Sequence, residues 1–242
     1  MQKRYAGDFG DYVKLALLRQ LSVGRKLGIG WYLHPDETRG NDGKHIRYLS
    51  EPEVWRDLDP ELFDCLSNVV RTERSVEALQ RFANPIASFG ESLISATLDA
   101  SERKGWRAAW FARQTDALAN CDLVFADPDN GLVDDDSGWA RKKTSGKRIS
   151  LHEARKLSAD RAALIYHHNT RRKGGHDKEV DYWLEKFAMR AMAVRAARFG
   201  FRTFFILNPD DDMESRVRSF CHAWKAHNVW LHGERPIGFN RS

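Results

Sequence analysis

One stretch of the chain constrains its fold more than any other. Leu123-Val124-Phe125-Ala126 is a four-residue apolar run that stops at Asp127-Pro128-Asp129-Asn130-Gly131. So short a run, bounded by turn residues, reads as a strand buried on both faces, and such strands belong to parallel sheets covered by helices. Pro128 fixes φ at about −65° and withholds an amide donor, so the chain turns at once and holds Asp127 at the sheet edge. A carboxylate at the carboxyl end of a buried strand stands where open α/β sheets place their ligands. The plainer reading is a Pro/Asn/Gly turn whose acids cap the next element.

The flanking sequence supplies the alternation that a parallel sheet needs. Helical spacing covers residues 12–26, with Val13, Leu17 and Leu21 on one face, and 28–33 reads as a short strand. Helices are expected over 60–72, with Asp59 as N-cap and Pro60 at the first position, and over 76–82. A strand follows over 86–93, then a helix over 102–119 with Trp106, Trp110 and Ala117 among its buried candidates. Beyond the central strand the pattern predicts a helix over 150–158, a strand over 162–167 and a long helix over 177–199 closed by Gly200. A strand over 201–207, a helix over 212–227 and a strand over 229–232 complete it. Strands joined by crossover-length helices imply one Rossmann-like α/β domain over 1–242, mostly parallel, with helices on both faces.

Three segments converge on the carboxyl ends of those strands. They are the loop from His34 to Gly43, the tip Asp127-Pro128-Asp129-Asn130-Gly131, and the segment Tyr166-His167-His168-Asn169-Thr170-Arg171-Arg172. The tip resembles the Asp/Asn/Ser-Pro-Pro-aromatic tetrapeptide of amino-group methyltransferases. That resemblance implies that Asp127 accepts a hydrogen bond from an exocyclic amine and that Pro128 provides a rigid turn. Asp129 stands where the second proline would be, and Asn130 where an aromatic would stack on an extruded base.

The N-terminal segment Tyr5-Ala6-Gly7-Asp8-Phe9-Gly10-Asp11-Tyr12-Val13-Lys14 resembles the opening Tyr/His-x-Gly-Asn-x-x-Asp-x-x-Lys of large-subunit ribosomal-RNA adenine-N6 methyltransferases. Gly7, Asp11 and Lys14 match, and Asp8 replaces the usual Asn. The resemblance implies a class I methyltransferase-like fold, S-adenosylmethionine as cofactor, and Lys14 in the cofactor wall. The loop after the first strand departs from the family's Asp-Thr-His-Ala-Gly-Ala-Gly, and its polar residues Asp36, Glu37, Asn41 and Asp42 are the expected cofactor wall there. Without the resemblance, the same segment reads as a helix start, with Asp8 or Asp11 as N-cap and Asp11–Lys14 as an i,i+3 pair. The wider pattern of Gly-Asp-x-Gly-Asp, Pro-Asp-Glu, Asn-Asp-Gly and Asp-Pro-Asp-Asn-Gly is also similar to a set of bacterial and phage proteins, a likeness that implies no activity.

The same acids support a second chemistry. Asp36, Glu37, Asp127 and Asp129 are hard oxygen donors suited to Mg or Mn, as in two-metal phosphodiester hydrolysis. Clustered carboxylates need a cation, a shared proton or a basic partner, and Lys14 or Arg39 would serve as the last of these. A third class is a non-catalytic nucleic-acid-binding protein on the same scaffold. Nucleophilic Ser or Cys chemistry has no support: there is no GxSxG elbow, Walker loop or GxGxxG fingerprint.

Charge indicates the partner. The chain carries a net charge of +5, but residues 139–178 hold twelve basic and three acidic side chains, while residues 1–138 are net acidic. Arg141, Lys142, Lys143, Arg171 and Arg172 follow site-bearing strands and are the expected contacts to RNA or DNA. A solvated loop and helix face is the alternative. The three cysteines are odd in number and scattered, which excludes CxxC zinc pairs and argues against a disulfide framework. No apolar leader core or membrane-length apolar run occurs, so the expectation is a cytoplasmic protein with no membrane association.

Overall fold

The computed structural model describes residues 5–35, 45–136 and 138–234. In chain order its regular elements are α1 (Phe9–Ser22), β1 (Leu27–Trp31), α2 (Pro52–Trp55), α3 (Pro60–Arg71), α4 (Val76–Ala83), β2 (Ala87–Phe89), α5 (Arg103–Ala117) and β3 (Leu123–Asp127). There follow β4 (Gly131–Val133), β5 (Arg148–Ser150), α6 (Leu151–Leu157), β6 (Ala162–His168), α7 (Gly175–Phe187), β7 (Ala191–Ala196), β8 (Arg202–Leu207), α8 (Asp211–Trp224) and β9 (Val229–Leu231).

Seven strands form one sheet in the order β2-β1-β3-β6-β8-β7-β9, and β4 and β5 make a separate parallel pair. β2, β1, β3 and β6 run parallel. β8 is antiparallel to both β6 and β7, and β9 is antiparallel to β7. The fold is α/β with a mixed, mostly parallel sheet, compatible with the Rossmann-like expectation.

Alternate residues of each strand feed two cores, as the strand repeat demands. Leu27, Ile29, Leu123, Phe125 and Leu164 pack with residues of α1, α3, α4 and α8 on one face. Val124, Ala126, Ala163 and Ile165 pack with residues of α5, α6 and α7 on the other. Asp59 caps α3, as its position predicts, and Asp210 caps α8.

The sequence expectation fails clearly over 177–199. Instead of one long helix, α7 stops at Phe187, Ala188 closes it with φ +52°, and the chain re-enters the sheet as β7. Met192 and Val194 lie in one core and Ala193 in the other, so the segment is apolar on both sides and carries no strand periodicity. Its alanine-rich composition favours a helix, and pairing with β8 overrides that preference. Two smaller differences concern β2, which is shorter than expected, and Ala117, which is exposed while Trp110 is buried and Trp106 partly so. Among the described residues, no helix is long and apolar enough to cross a membrane.

Candidate active site

The order β2-β1-β3 makes the chain reverse direction across the sheet, so a crevice opens between the carboxyl ends of β1 and β3. Asp127 is the last residue of β3, pairs in register with Trp31 of β1, and is only 3 % exposed. α1 starts at this edge. Asp8 caps it by accepting the Asp11 amide at 3.0 Å, and Asp11 in turn accepts the Gly7 amide at 2.9 Å. Asp8, not Asp11, is therefore the N-cap, which leaves the other Asp11 oxygen for Lys14.

Lys14 is one helical turn further on. Its Nζ lies 2.6 Å from Asp11 Oδ1 and 2.8 Å from Asp127 Oδ2, and all three side chains are buried. Burial opposes the charge on Lys14, but the two carboxylates outweigh it and raise its pKa, so the ammonium persists. Burial pushes both carboxyls up, Asp127 and Asp11 alike, and Lys14 only partly offsets this. One cation is thus shared between two acids.

The tip after Asp127 is fixed by its neighbours. The Asn130 amide donates to the Lys147 carbonyl at 2.8 Å, and β4 then pairs with β5. Gly131, at φ +75°, lies against β6: a Cβ there would come 2.4 Å from His167 Nδ1. The same nitrogen accepts the Leu132 amide at 3.0 Å, so Nε2 carries the ring proton and donates to Glu179 Oε1 at 3.2 Å. Burial lowers the His167 pKa, and the imidazole is a neutral structural group.

A cavity of about 230 Å³ opens above Asp127, lined by Asp8, Asp11, Lys14, Asp127, Asp129 and Asn130 on the acidic side. Tyr5, Gly10, His45, Tyr166, His168, Phe199 and Arg202 complete the lining. Of the expected site residues, the structure brings together Lys14, Asp127, Asp129 and Asn130; Asp36, Glu37, Asn41 and Asp42 lie outside the described residues. Tyr166 and His168 belong to a segment that the sequence brings to this edge, whereas nothing in the sequence reading brings Phe199 or Arg202 there. Arg202 carried the one available signal, a charge opening the apolar run of β8.

Among the described residues, no three His, Cys, Asp or Glu side chains converge as a metal site. Between Asp11 and Asp127, the place of a cation is held by the Lys14 ammonium.

The basic strip is fastened beside the tip. Arg107 makes a bidentate pair with Glu153, both bonds 2.8 Å, while the Glu153 side chain also closes the capping box that starts α6. Arg103 donates to the carbonyls of Ser95, Leu98 and Arg141, and Ser95 Oγ donates to the Lys143 carbonyl. Arg141, Lys142 and Lys143 keep exposed side chains on this anchored backbone, and Arg171 is exposed beyond β6. Arg172 is half-buried, its guanidinium 3.5 Å from the centre of the Tyr182 ring.

Compared with protein-family models and with curated proteins, the chain matched none.

Proposed function

We propose that this chain transfers a methyl group from S-adenosylmethionine to an exocyclic amine of a nucleic-acid base. The observation that carries the reading is the buried Asp127 carboxylate, anchored by Lys14 at the switch point of the sheet and forming the floor of the cavity. An exocyclic amine donating to such a carboxylate is oriented by it, and its nitrogen lone pair is directed away from the acceptor. S-adenosylmethionine bound here would supply the methyl group from its sulfonium, with a thioether as its product, while Asp127 would hold the amine and its surplus proton would pass to water.

The donor set fits a cationic cofactor. Four aspartates line the cavity against one lysine and one arginine, which favours a sulfonium and an ammonium group and disfavours a phosphate at the reacting centre. Lys14 anchors Asp127 at 2.8 Å, and Asp129 and Asn130 border the space for the amine. The sheet order is compatible with a class I methyltransferase-like scaffold. Outside the cavity, Arg141, Lys142, Lys143, Arg171 and Arg172 would hold the polyanion backbone of RNA or DNA.

Calorimetric titration with S-adenosylmethionine, followed by transfer of a labelled methyl group to RNA and DNA, tests the reading. Saturable cofactor binding is expected, with methyl transfer reduced about 100-fold or more in Asp127→Ala. Wild-type protein that binds no cofactor, or an Asp127→Ala variant with undiminished transfer, would overturn it. Strand cleavage dependent on Mn²⁺ or Mg²⁺ and abolished by Asp127→Ala would replace it with phosphodiester hydrolysis.

A further inference from the structure

Tyr166 is the neighbour of Asp127 across the sheet. β3 and β6 run parallel, and their last paired residues are Ala126 and Ile165. Asp127 and Tyr166 are the next step on each strand, so their side chains leave the same face, with the strands ~4.8 Å apart. That face is the one covered by α1: Phe125 and Leu164 lie in its core, and Tyr166 packs against it.

The Tyr166 ring is held from two sides. Lys14 Nζ, which bonds Asp127 at 2.8 Å, lies 5.6 Å from the ring centre. Phe204 of β8 contacts the ring at 5.8 Å and 58°. The side chain lines the cavity, and among the described residues its hydroxyl makes no hydrogen bond. Burial pushes this hydroxyl up to about 12, so it keeps its proton. An enclosed donor without a partner costs free energy, which an acceptor atom on a ligand would recover. The cavity thus sets an acceptor anchored by Lys14 beside a phenol with a proton to give.

We infer that Tyr166 determines specificity at this site, donating its hydroxyl proton to a ring nitrogen that adjoins the amine held by Asp127. The ligand class is a heteroaromatic amine whose amino group neighbours an unprotonated ring nitrogen. Lysine ammonium and arginine guanidinium groups are donors only, and either would leave the Tyr166 proton unpaired. The inference rests on the reading of this cavity as the acceptor site, and it narrows the acceptor on grounds independent of the basic strip.

The test uses single-stranded 12-mers that carry one base, adenine or cytosine, among abasic sites. Matched strands carry 1-deazaadenine, 7-deazaadenine or 3-deazacytosine, in which C–H replaces a ring nitrogen near the amine. Wild type is expected to bind at least one parent strand about 5- to 150-fold more tightly than its deaza counterpart, the range for one enclosed donor left unpaired. Tyr166→Phe keeps the ring and should abolish that preference. Its affinity for the deaza strand should equal that of wild type, which together with a thermal melt controls for folding. Absence of any preference in wild type, or a preference that survives in Tyr166→Phe, overturns the inference. Calorimetry with S-adenosylmethionine on the same proteins separates the two readings. Tyr166-dependent discrimination without cofactor binding would keep the hydroxyl contact and remove methyl transfer. Methyl transfer that discriminates parent from deaza strands equally in wild type and Tyr166→Phe would remove the contact and leave the activity.

Discussion

Lys14 Nζ lies 2.8 Å from Asp127 Oδ2, joining α1 to the end of β3 across 113 residues of sequence. The same ammonium holds Asp11, so the two acids depend on one cation. Lys14→Met strands both buried carboxylates and should cost about 3–5 kcal/mol. Asp127→Ala leaves Lys14 paired with Asp11 and should cost only about 1–3 kcal/mol, although it removes the proposed amine acceptor. Urea denaturation of the two variants checks the order: Lys14→Met worse for stability, Asp127→Ala worse for methyl transfer. The reverse order of stabilities would mean that Lys14 does not hold the pair.

Gly131 gives the tip its direction. Alanine there must adopt φ +75° and place its Cβ 2.6 Å from the His167 backbone Cα, which a side-chain rotation cannot relieve. The expected loss is about 2–4 kcal/mol, from the left-handed conformation and the overlap together. Gly24 has a similar φ of +76° but no atom within 4 Å of the Cβ position, so Gly24→Ala isolates the conformational part, about 1–2 kcal/mol. Thermal melts of the two variants give the difference, and equal losses would show that the packing on His167 contributes nothing.

His167 and Glu179 make the fold sensitive to acid. Burial pushes the Glu179 carboxyl up, and hydrogen bonds from His167 and Thr170 outweigh it, holding the group at about 2 against an ordinary 4.5. That stability is complete above pH 4.5 and lost as the pH falls toward 2. The His167 imidazole titrates below its ordinary 6.5 because it is buried, so the unfolded chain takes up this proton first and stability starts to fall once the pH drops below 6.5. His167→Gln should remove the upper part of this loss and Glu179→Gln the lower part. Urea midpoints between pH 8 and pH 3 test this; an unchanged profile in His167→Gln would contradict it.

These contacts also show where sequence reading succeeds. The apolar run to Ala126 followed by Asp127-Pro128 specifies a buried strand and its edge without tertiary information, because burial on both faces and the proline act locally. The pairing of Lys14 with Asp127 follows only once α1 is seen to start at the same edge. Phe199 and Arg202 are harder, since they reach the cavity because β8 is inserted antiparallel between β6 and β7. Strand order and direction across a sheet leave no local mark on the chain. The alanine-rich β7 hides the insertion further by imitating a helix.

The basic strip makes a prediction that is independent of the chemistry. Arg141, Lys142, Lys143 and Arg171 are exposed, so replacing them with Gln should leave stability within about 0.5 kcal/mol. Each phosphate contact removed should lower the slope of log affinity against log salt by about 0.7 on single strands or about 0.9 on duplex DNA. Arg172 differs, because its guanidinium stacks on Tyr182, whose hydroxyl bonds Asp134 beyond β4. Arg172→Gln should reduce the slope by a similar amount and also cost about 0.5–1 kcal/mol of stability through the lost cation–π contact. Filter binding over a salt series, paired with thermal melts, separates the two effects. If removing all five cations leaves the slope unchanged, the strip is a solvated surface and the polyanion, if bound, is held elsewhere.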